Sequence, residues 1–277
     1  MRVQGKRVLV TGGARGMGLE IARLAAAKGA DTAIWDLDER RLPEAEGALR
    51  DAMRGPEQRV TSAAVDVSDR AAVMRAAREL EADFGPVDLL VNNAGVVSGK
   101  PLLDLAPEEI ERTFRVNAFA LFWTTQAFLP GMIQRGRGHL VTLASAAGLL
   151  GAPGMSDYSA SKYAAVGYHE ALRAELRRRA PRIGTTLVCP YFVDTGMFAG
   201  VRSRFPFLLP ILRPEAVAAS VLRGVEQNRR VVILPWFVHS LKLIRLLPAS
   251  WLDPIAAFFG IHSAMDSFTG HPPPRRD

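Results

Sequence analysis

The string Thr11-Gly12-Gly13-Ala14-Arg15-Gly16-Met17-Gly18 constrains this chain more than any other feature. It follows an apolar run at residues 8–10 and opens a stretch with helical spacing. There Met17, Ile21, Leu24 and Ala25 fall on one face, and Gly29 is placed to end the helix. Glycines at 12, 16 and 18 allow a tight turn, close approach of backbone to an anion, and close packing of helix on strand. Free N–H groups at the helix start suit the pyrophosphate of a dinucleotide. The spacing is Gly-x-x-x-Gly-x-Gly rather than the more general Gly-x-Gly-x-x-Gly.

The rest of the chain continues the alternation to which such a turn belongs. Strand patterns occur at 8–10, 32–35, 60–65, 89–91, 140–143, 185–188 and 231–234. Helical patterns lie between them at 16–28, 68–84, 107–134, 155–179 and 214–228; Ser68-Asp69 caps the second, and Pro107 suits the first turn of the third. Mostly continuous apolar strands alternating with helices predict an α/β fold, a single-domain Rossmann-type, doubly wound parallel sheet flanked by helices. With 277 residues, 48% of them hydrophobic, the chain can bury one large core. Residues 1–235 read as a dinucleotide-binding catalytic domain with a substrate loop at 196–213. Residues 236–277 read as an apolar extension of the same domain, ending in the basic tail Pro272-Pro273-Pro274-Arg275-Arg276.

Composition excludes several other classes. The net charge of +7 is spread among acids, as between Glu170 and Arg179, and Arg177-Arg178-Arg179 complements a helix C-terminus. It therefore reads as solvated surface, with no nucleic-acid partner. One cysteine, Cys189, rules out an intrachain disulfide and reads as buried packing; five histidines without ligand spacing give no metal site. Met1 leads almost at once into the first strand, so no signal peptide is expected and the default compartment is cytoplasmic.

Residues at the strand ends extend the nucleotide reading. Asp36 is placed to accept hydrogen bonds from the adenosine ribose hydroxyls, and the same carboxylate repels a 2′-phosphate. Arg15 could pair with such a phosphate, but a fixed acid at the ribose favours NAD over NADP. Leu37 lies beside Asp36, and Met17 lies within the turn. Asp66 and Val67 suit the adenine edge, although Asp66 could equally cap the next helix. Asn93, Ala94 and Gly95 allow close passage of the cofactor, and the asparagine can also tie neighbouring loops.

Reactive groups gather further along. Tyr158 and Lys162 are four residues apart at a helix start and share a face. A phenol titrates too high for proton exchange at neutral pH, and a nearby ammonium should lower it. Ser145, past a strand end, can donate to a carbonyl or alkoxide oxygen.

These motifs together resemble the short-chain dehydrogenase/reductase family, with its Thr-Gly-x-x-x-Gly-x-Gly, Asn-Asn-Ala-Gly and Tyr-x-x-x-Lys patterns and an upstream serine. The resemblance implies that Ser145 positions the substrate oxygen and Tyr158 is the acid/base. Lys162 would lower the tyrosine pKa and bind the nicotinamide ribose, while Asn117 would hold a water linking Lys162 to solvent. It also places Pro190, Val193 and Thr195 against the nicotinamide amide, with Tyr191 replacing the usual glycine. Trp35-Asp36, residues 158–171 and residues 189–198 are similar to the retinol and 17-beta-hydroxysteroid dehydrogenase branch, which mostly uses NAD on hydrophobic alcohols.

A small lipophilic alcohol or ketone is thus the expected substrate, covered by the apolar loop 198–212. Residues 236–259 are too interrupted by charge and proline to span a membrane. They are expected to pack over the site or against another subunit, with peripheral membrane contact through 236–260 as the other reading. Apolar faces carrying Phe119, Phe122 and Tyr168 fit a homodimer or homotetramer. Two alternatives are weaker. A cofactor-sensing regulator would need no proton relay. An epimerase or dehydratase generally has the other glycine spacing and a larger C-terminal domain.

Overall fold

Continuous apolar strands need cover on both faces, and the computed structural model, which describes residues 1–270, shows how this chain supplies it. The tail residues 272–276 lie outside the described residues. In chain order the elements are β1 (Arg7–Thr11), α1 (Gly16–Ala27), β2 (Asp31–Asp36), α2 (Leu42–Asp51), β3 (Val60–Ala64), α3 (Arg70–Asp83) and β4 (Leu89–Asn92). Then come α4 (Pro107–Phe114), α5 (Ala120–Arg135), β5 (Gly138–Leu143), α6 (Ser156–Arg179), β6 (Ile183–Pro190), α7 (Pro214–Glu226), β7 (Val231–Leu234), α8 (Leu241–Ile244) and α9 (Ala249–Phe258). The seven strands form one sheet in the order β3-β2-β1-β4-β5-β6-β7, and every pairing is parallel.

Alternation along each strand divides the core between the two faces. Val8 and Val10 of β1 pack with Ile21 of α1, Leu49 of α2 and Val221 of α7. Leu9, between them, points to the opposite face with Trp35, Phe84, Phe128 and Leu140. Trp35 and Phe128 stack at 5.6 Å, and burying a side chain of that size contributes about 1.5–3 kcal/mol. Both sides are therefore largely dry, and polar groups buried within or against the sheet are paired, His139 with Thr186 and His169 of α6 with Thr142.

Two local expectations need correction. The helical pattern at 107–134 is not one helix: a widened π-type turn, Arg115–Phe119, separates α4 from α5. Its cause is Asn117, whose side-chain amide bonds both the N–H and the C=O of Val96 instead of facing solvent. The helix α2 has no counterpart in the sequence reading, although Leu42, Ala45 and Leu49 mark its buried side. The capping expectation at 68–69 is met by Asp69, which accepts from Ala71 N at 2.7 Å.

The strand order reverses between β1 and β4, so the connections leaving them diverge to opposite faces and open a crevice at the C-terminal edge of the sheet. The C-terminal segment closes over that edge. Thr269 N donates to Ala199 O at 2.9 Å, and Ser267 Oγ donates to Gly200 O at 2.8 Å. Phe268 sits against Gly99 so closely that a Cβ there would lie 1.9 Å from its ring. Among the described residues no helix is long and apolar enough to cross a membrane.

Candidate active site

The glycine turn is built by close approach. A Cβ on Gly18 would lie 2.0 Å from Gly12 O, so the start of α1 can come down onto the turn only with glycine there. Thr11 and Asn93 stitch this turn to the loop after β4. Thr11 Oγ1 accepts from Asn93 N and Ala94 N, both at 3.1 Å, and Asn93 Nδ2 donates to Thr11 O and Gly12 O at 2.9 and 3.0 Å. Asn93 is thus a loop tie as well as a wall residue.

At the end of β2, Asp36 is held by two backbone donors. Its Oδ2 accepts from Ala14 N at 3.0 Å and its Oδ1 from Asp38 N at 3.1 Å. Asp66 Oδ1 accepts from Ser68 N at 2.9 Å, before the cap proper at Asp69. A cavity of about 730 Å³ runs along this edge, a size ordinary for a ligand site. Every residue assigned above to the cofactor lines it, from Asp36, Leu37, Asp66 and Val67 past the turn to Pro190, Val193 and Thr195. A fixed acid at one end, N–H donors and Arg15 in the middle, and Tyr158 with Lys162 at the other suit a dinucleotide's ribose, pyrophosphate and nicotinamide.

The four expected catalytic positions come together, but not equivalently. Ser145, Tyr158 and Lys162 line the cavity. Ser145 Oγ accepts from Ala147 N at 3.1 Å. Lys162 Nζ donates to Leu143 O at 2.9 Å and stands 5.6 Å from the Tyr158 ring centroid. Asn117 lies behind the wall, where its Nδ2 also donates to Ser161 Oγ at 3.0 Å. A Cβ on Gly95 would meet Asn117 Oδ1 at 3.4 Å and Lys162 Nζ at 3.5 Å, so the two side chains flank the same glycine.

Burial governs the titration here. Tyr158 is only 5% exposed, and loss of water pushes its phenol up to about 12, with Ser145 beside it acting in the opposite sense. This is the reverse of the direction expected from a neighbouring ammonium. The reason is the phenol's own burial, which dominates its surroundings; Lys162, buried likewise, has its pKa brought down to about 8. Its strong contact is the Leu143 carbonyl, not the phenol.

Several residues of this region escaped the sequence reading. Asp157, Ser98 and Thr113 form a hydrogen-bonded cluster directly behind Tyr158. Phe268 also packs around the tyrosine, joining Phe192 and Phe198 of the expected 189–198 segment, with Phe198 edge-on at 5.7 Å. Nothing local marks this cluster, or Phe268, which reaches the site from a distant segment.

The lysine's displaced pKa has a consequence for stability. Below about pH 8 the amine is charged in both the folded and the unfolded chain, and the folded state bears the whole burial cost. Between about 8 and the ordinary 10.5 the folded protein loses the proton while the unfolded chain keeps it, so stability rises with pH. Replacing Lys162 by Met should remove this rise. Urea unfolding from pH 7 to 10.5 is expected to show the wild type gaining up to about 3 kcal/mol relative to the variant. Parallel stability curves would contradict the assignment.

Comparison with known proteins agrees with this geometry. Residues 6–205 match the family model for short chain dehydrogenase. The chain is 38% identical to short-chain dehydrogenase/reductase family 16C member 6 of Bos taurus, covering 96% of this chain and 84% of that protein. It is 37% identical to epidermal retinol dehydrogenase 2 of Mus musculus, covering 97% and 86%. A crystal structure of a Burkholderia phymatum short chain dehydrogenase/reductase in complex with NAD superposes with a TM-score of 0.79 at 28% identity, over 89% of this chain and 95% of that one. With these motifs on this sheet, the chain belongs to the short-chain dehydrogenase/reductase family.

Proposed function

We propose that this enzyme, an NAD(P)-dependent alcohol oxidoreductase, uses NAD and acts on a lipophilic alcohol or the corresponding carbonyl compound. The observation that carries this reading is the continuity of the cavity. Beyond Tyr158 it runs into a chamber walled by Phe198, Leu209, Leu241, Ile255 and Phe259, among other apolar residues. Such a wall offers a long hydrocarbon burial at about 25 cal/mol per Å² and offers a polar substrate little compensation. The similarity to a protein named as a retinol dehydrogenase points the same way.

In this reading the bound nicotinamide supplies the hydride acceptor. Ser145 donates a hydrogen bond to the substrate oxygen, and Tyr158 takes the hydroxyl proton as the adjacent carbon loses hydride; reduction reverses both transfers. Lys162 holds the nicotinamide ribose and favours the phenolate. Asn117 anchors the wall behind Lys162 and, as the family resemblance implies, serves its proton route to solvent. Asp36, pinned by Ala14 and Asp38, cannot swing away from a 2′-phosphate, which selects NAD. A pure cofactor sensor would have no use for a buried phenol and amine.

Steady-state kinetics over alcohols of increasing chain length, retinoids and steroids, each with NAD and NADP, test the assignment. We expect kcat/KM to rise with hydrocarbon size and to favour NAD by about tenfold or more. A preference for NADP would remove the Asp36 argument, and a preference for short polar alcohols would remove the substrate class.

Two outer surfaces complete the proposal. Trp236, Leu243, Leu246, Trp251 and Phe258 are exposed on the outside of the C-terminal cover, whose inner side lines the chamber. Aromatic and aliphatic side chains with Arg245 nearby suit peripheral contact with a membrane, the source of a greasy substrate. Phe119 at the end of the π-type turn and Phe122 of α5 are half exposed, with Phe122 against Tyr168 of α6, as a homodimer face would be. Sedimentation separates these surfaces. We expect a dimer or larger in buffer, and cosedimentation with anionic vesicles that is lost when Trp236, Leu246 and Trp251 are changed to Ser. A monomer in buffer would contradict the first, and vesicle binding unaffected by the changes the second.

A further inference from the structure

The helix α6 carries two stripes one residue apart. Tyr158 and Lys162 line the cavity. Asp157 and Ser161, each the residue just before, are buried on the side that meets α4 and the loop after β4. Ser161 Oγ accepts from Asn117 Nδ2 and donates to the Tyr158 carbonyl at 2.7 Å. Asp157 is 4% exposed, and a single oxygen, Oδ2, accepts from Ser98 Oγ at 2.7 Å and from Thr113 Oγ1 at 2.8 Å. Ser98 belongs to the loop after β4 and Thr113 to α4, and both line the cavity that Asp157 itself does not reach.

We propose that Asp157 is a positioning residue for the reaction: by clamping Ser98 and Thr113 it sets where Tyr158 and Lys162 stand relative to the loop 93–98 that walls the cofactor site. The inference rests on the reading of Tyr158 as the acid/base. A negative charge in the first turn of a helix interacts well with the helix dipole, but that effect needs no burial and no side-chain partners. Burying a carboxylate costs several kcal/mol, and among the described residues no lysine or arginine pairs with this one. Two short hydroxyl bonds that join three separate segments offset part of that cost, while Oδ1 is buried without a hydrogen-bond partner, so the acid is kept at a net expense. A shift of about 1 Å at reacting groups lowers turnover by as much as about a hundredfold, so such a clamp has direct kinetic value.

Because one oxygen takes both hydroxyls, Asp157→Asn keeps the clamp and Asp157→Ala removes it. With whichever alcohol the wild type turns over, we expect Asp157→Ala to lose about ten- to a hundredfold in kcat. The Kd for NADH, read by fluorescence, should stay within about twofold, and a deuterium isotope effect on kcat should grow because hydride transfer becomes slower. Asp157→Asn should recover most of the loss. Hydrogen exchange in the Asp157→Ala protein should accelerate at amides 157–162 and not in the remainder of α6. Should Asp157→Ala not fold, Thr113→Val, which removes one clamp donor, carries the same measurements with a smaller expected loss. Unchanged kcat in folded Asp157→Ala, or equal loss in the Ala and Asn variants, would overturn the proposal. If the wild type turns over no alcohol, the functional reading fails instead. The exchange pattern then decides the clamp alone, and unchanged exchange at 157–162 would refute it.

Discussion

The structure turns on the burial of an amine and a phenol side by side. Taking Lys162 and Tyr158 out of water opposes the charged form of each, bringing one down to about 8 and pushing the other up to about 12. A fold free of functional demands would fill such positions with leucine. Keeping them requires a rigid frame: the Leu143 carbonyl at the end of β5 takes the ammonium, and α6, the longest helix here, fixes the spacing. Polar atoms on the reverse side of α6 then tie it to the loop after β4. The parallel sheet presents its strand ends to this point, and the crevice between β1 and β4 supplies the room.

From that frame the division of the cavity follows. One end is polar and rigid, with Asp36 pinned by backbone donors and the glycine turn stitched to Asn93. The other is apolar and assembled from segments far apart in sequence: the loop around 198–212 and the cover at 236–270. The first suits a charged cofactor through fixed hydrogen bonds, and the second suits an apolar substrate through shape and dryness. A ten-residue helix such as α9 faces the chamber with Leu252, Ile255 and Ala256 while exposing Trp251 and Phe258. It is therefore apolar on both sides, which is what a cover between a greasy pocket and a greasy surface needs.

Legibility in the sequence followed the same division. All seven strand patterns became strands, because continuous β-branched runs bounded by turns have few other uses. The positions expected to meet the cofactor sit in local motifs, most of them at strand ends, and all of them line one cavity. Local periodicity did not show the break at Asn117, where a tertiary bond to Val96 overrides helical spacing. Nor did it show α2, whose three buried apolar residues are diluted by charge. The direction of the Tyr158 shift was not legible, because spacing reports a neighbour's charge but not the burial of the phenol itself. Phe268 and the Ser98–Thr113–Asp157 cluster depend on long-range packing and had no local signature.

The central claim is that Tyr158 moves the proton in a site whose cofactor half is independent of the phenol oxygen. Replacing it by Phe keeps the ring that packs edge-on against Phe198 and removes only the hydroxyl. Turnover of the Tyr158→Phe protein, measured beside its affinity for NADH, is therefore the most direct measurement. The account predicts that kcat falls by at least about a thousandfold with NADH affinity nearly unchanged. Activity close to that of the wild type would contradict it.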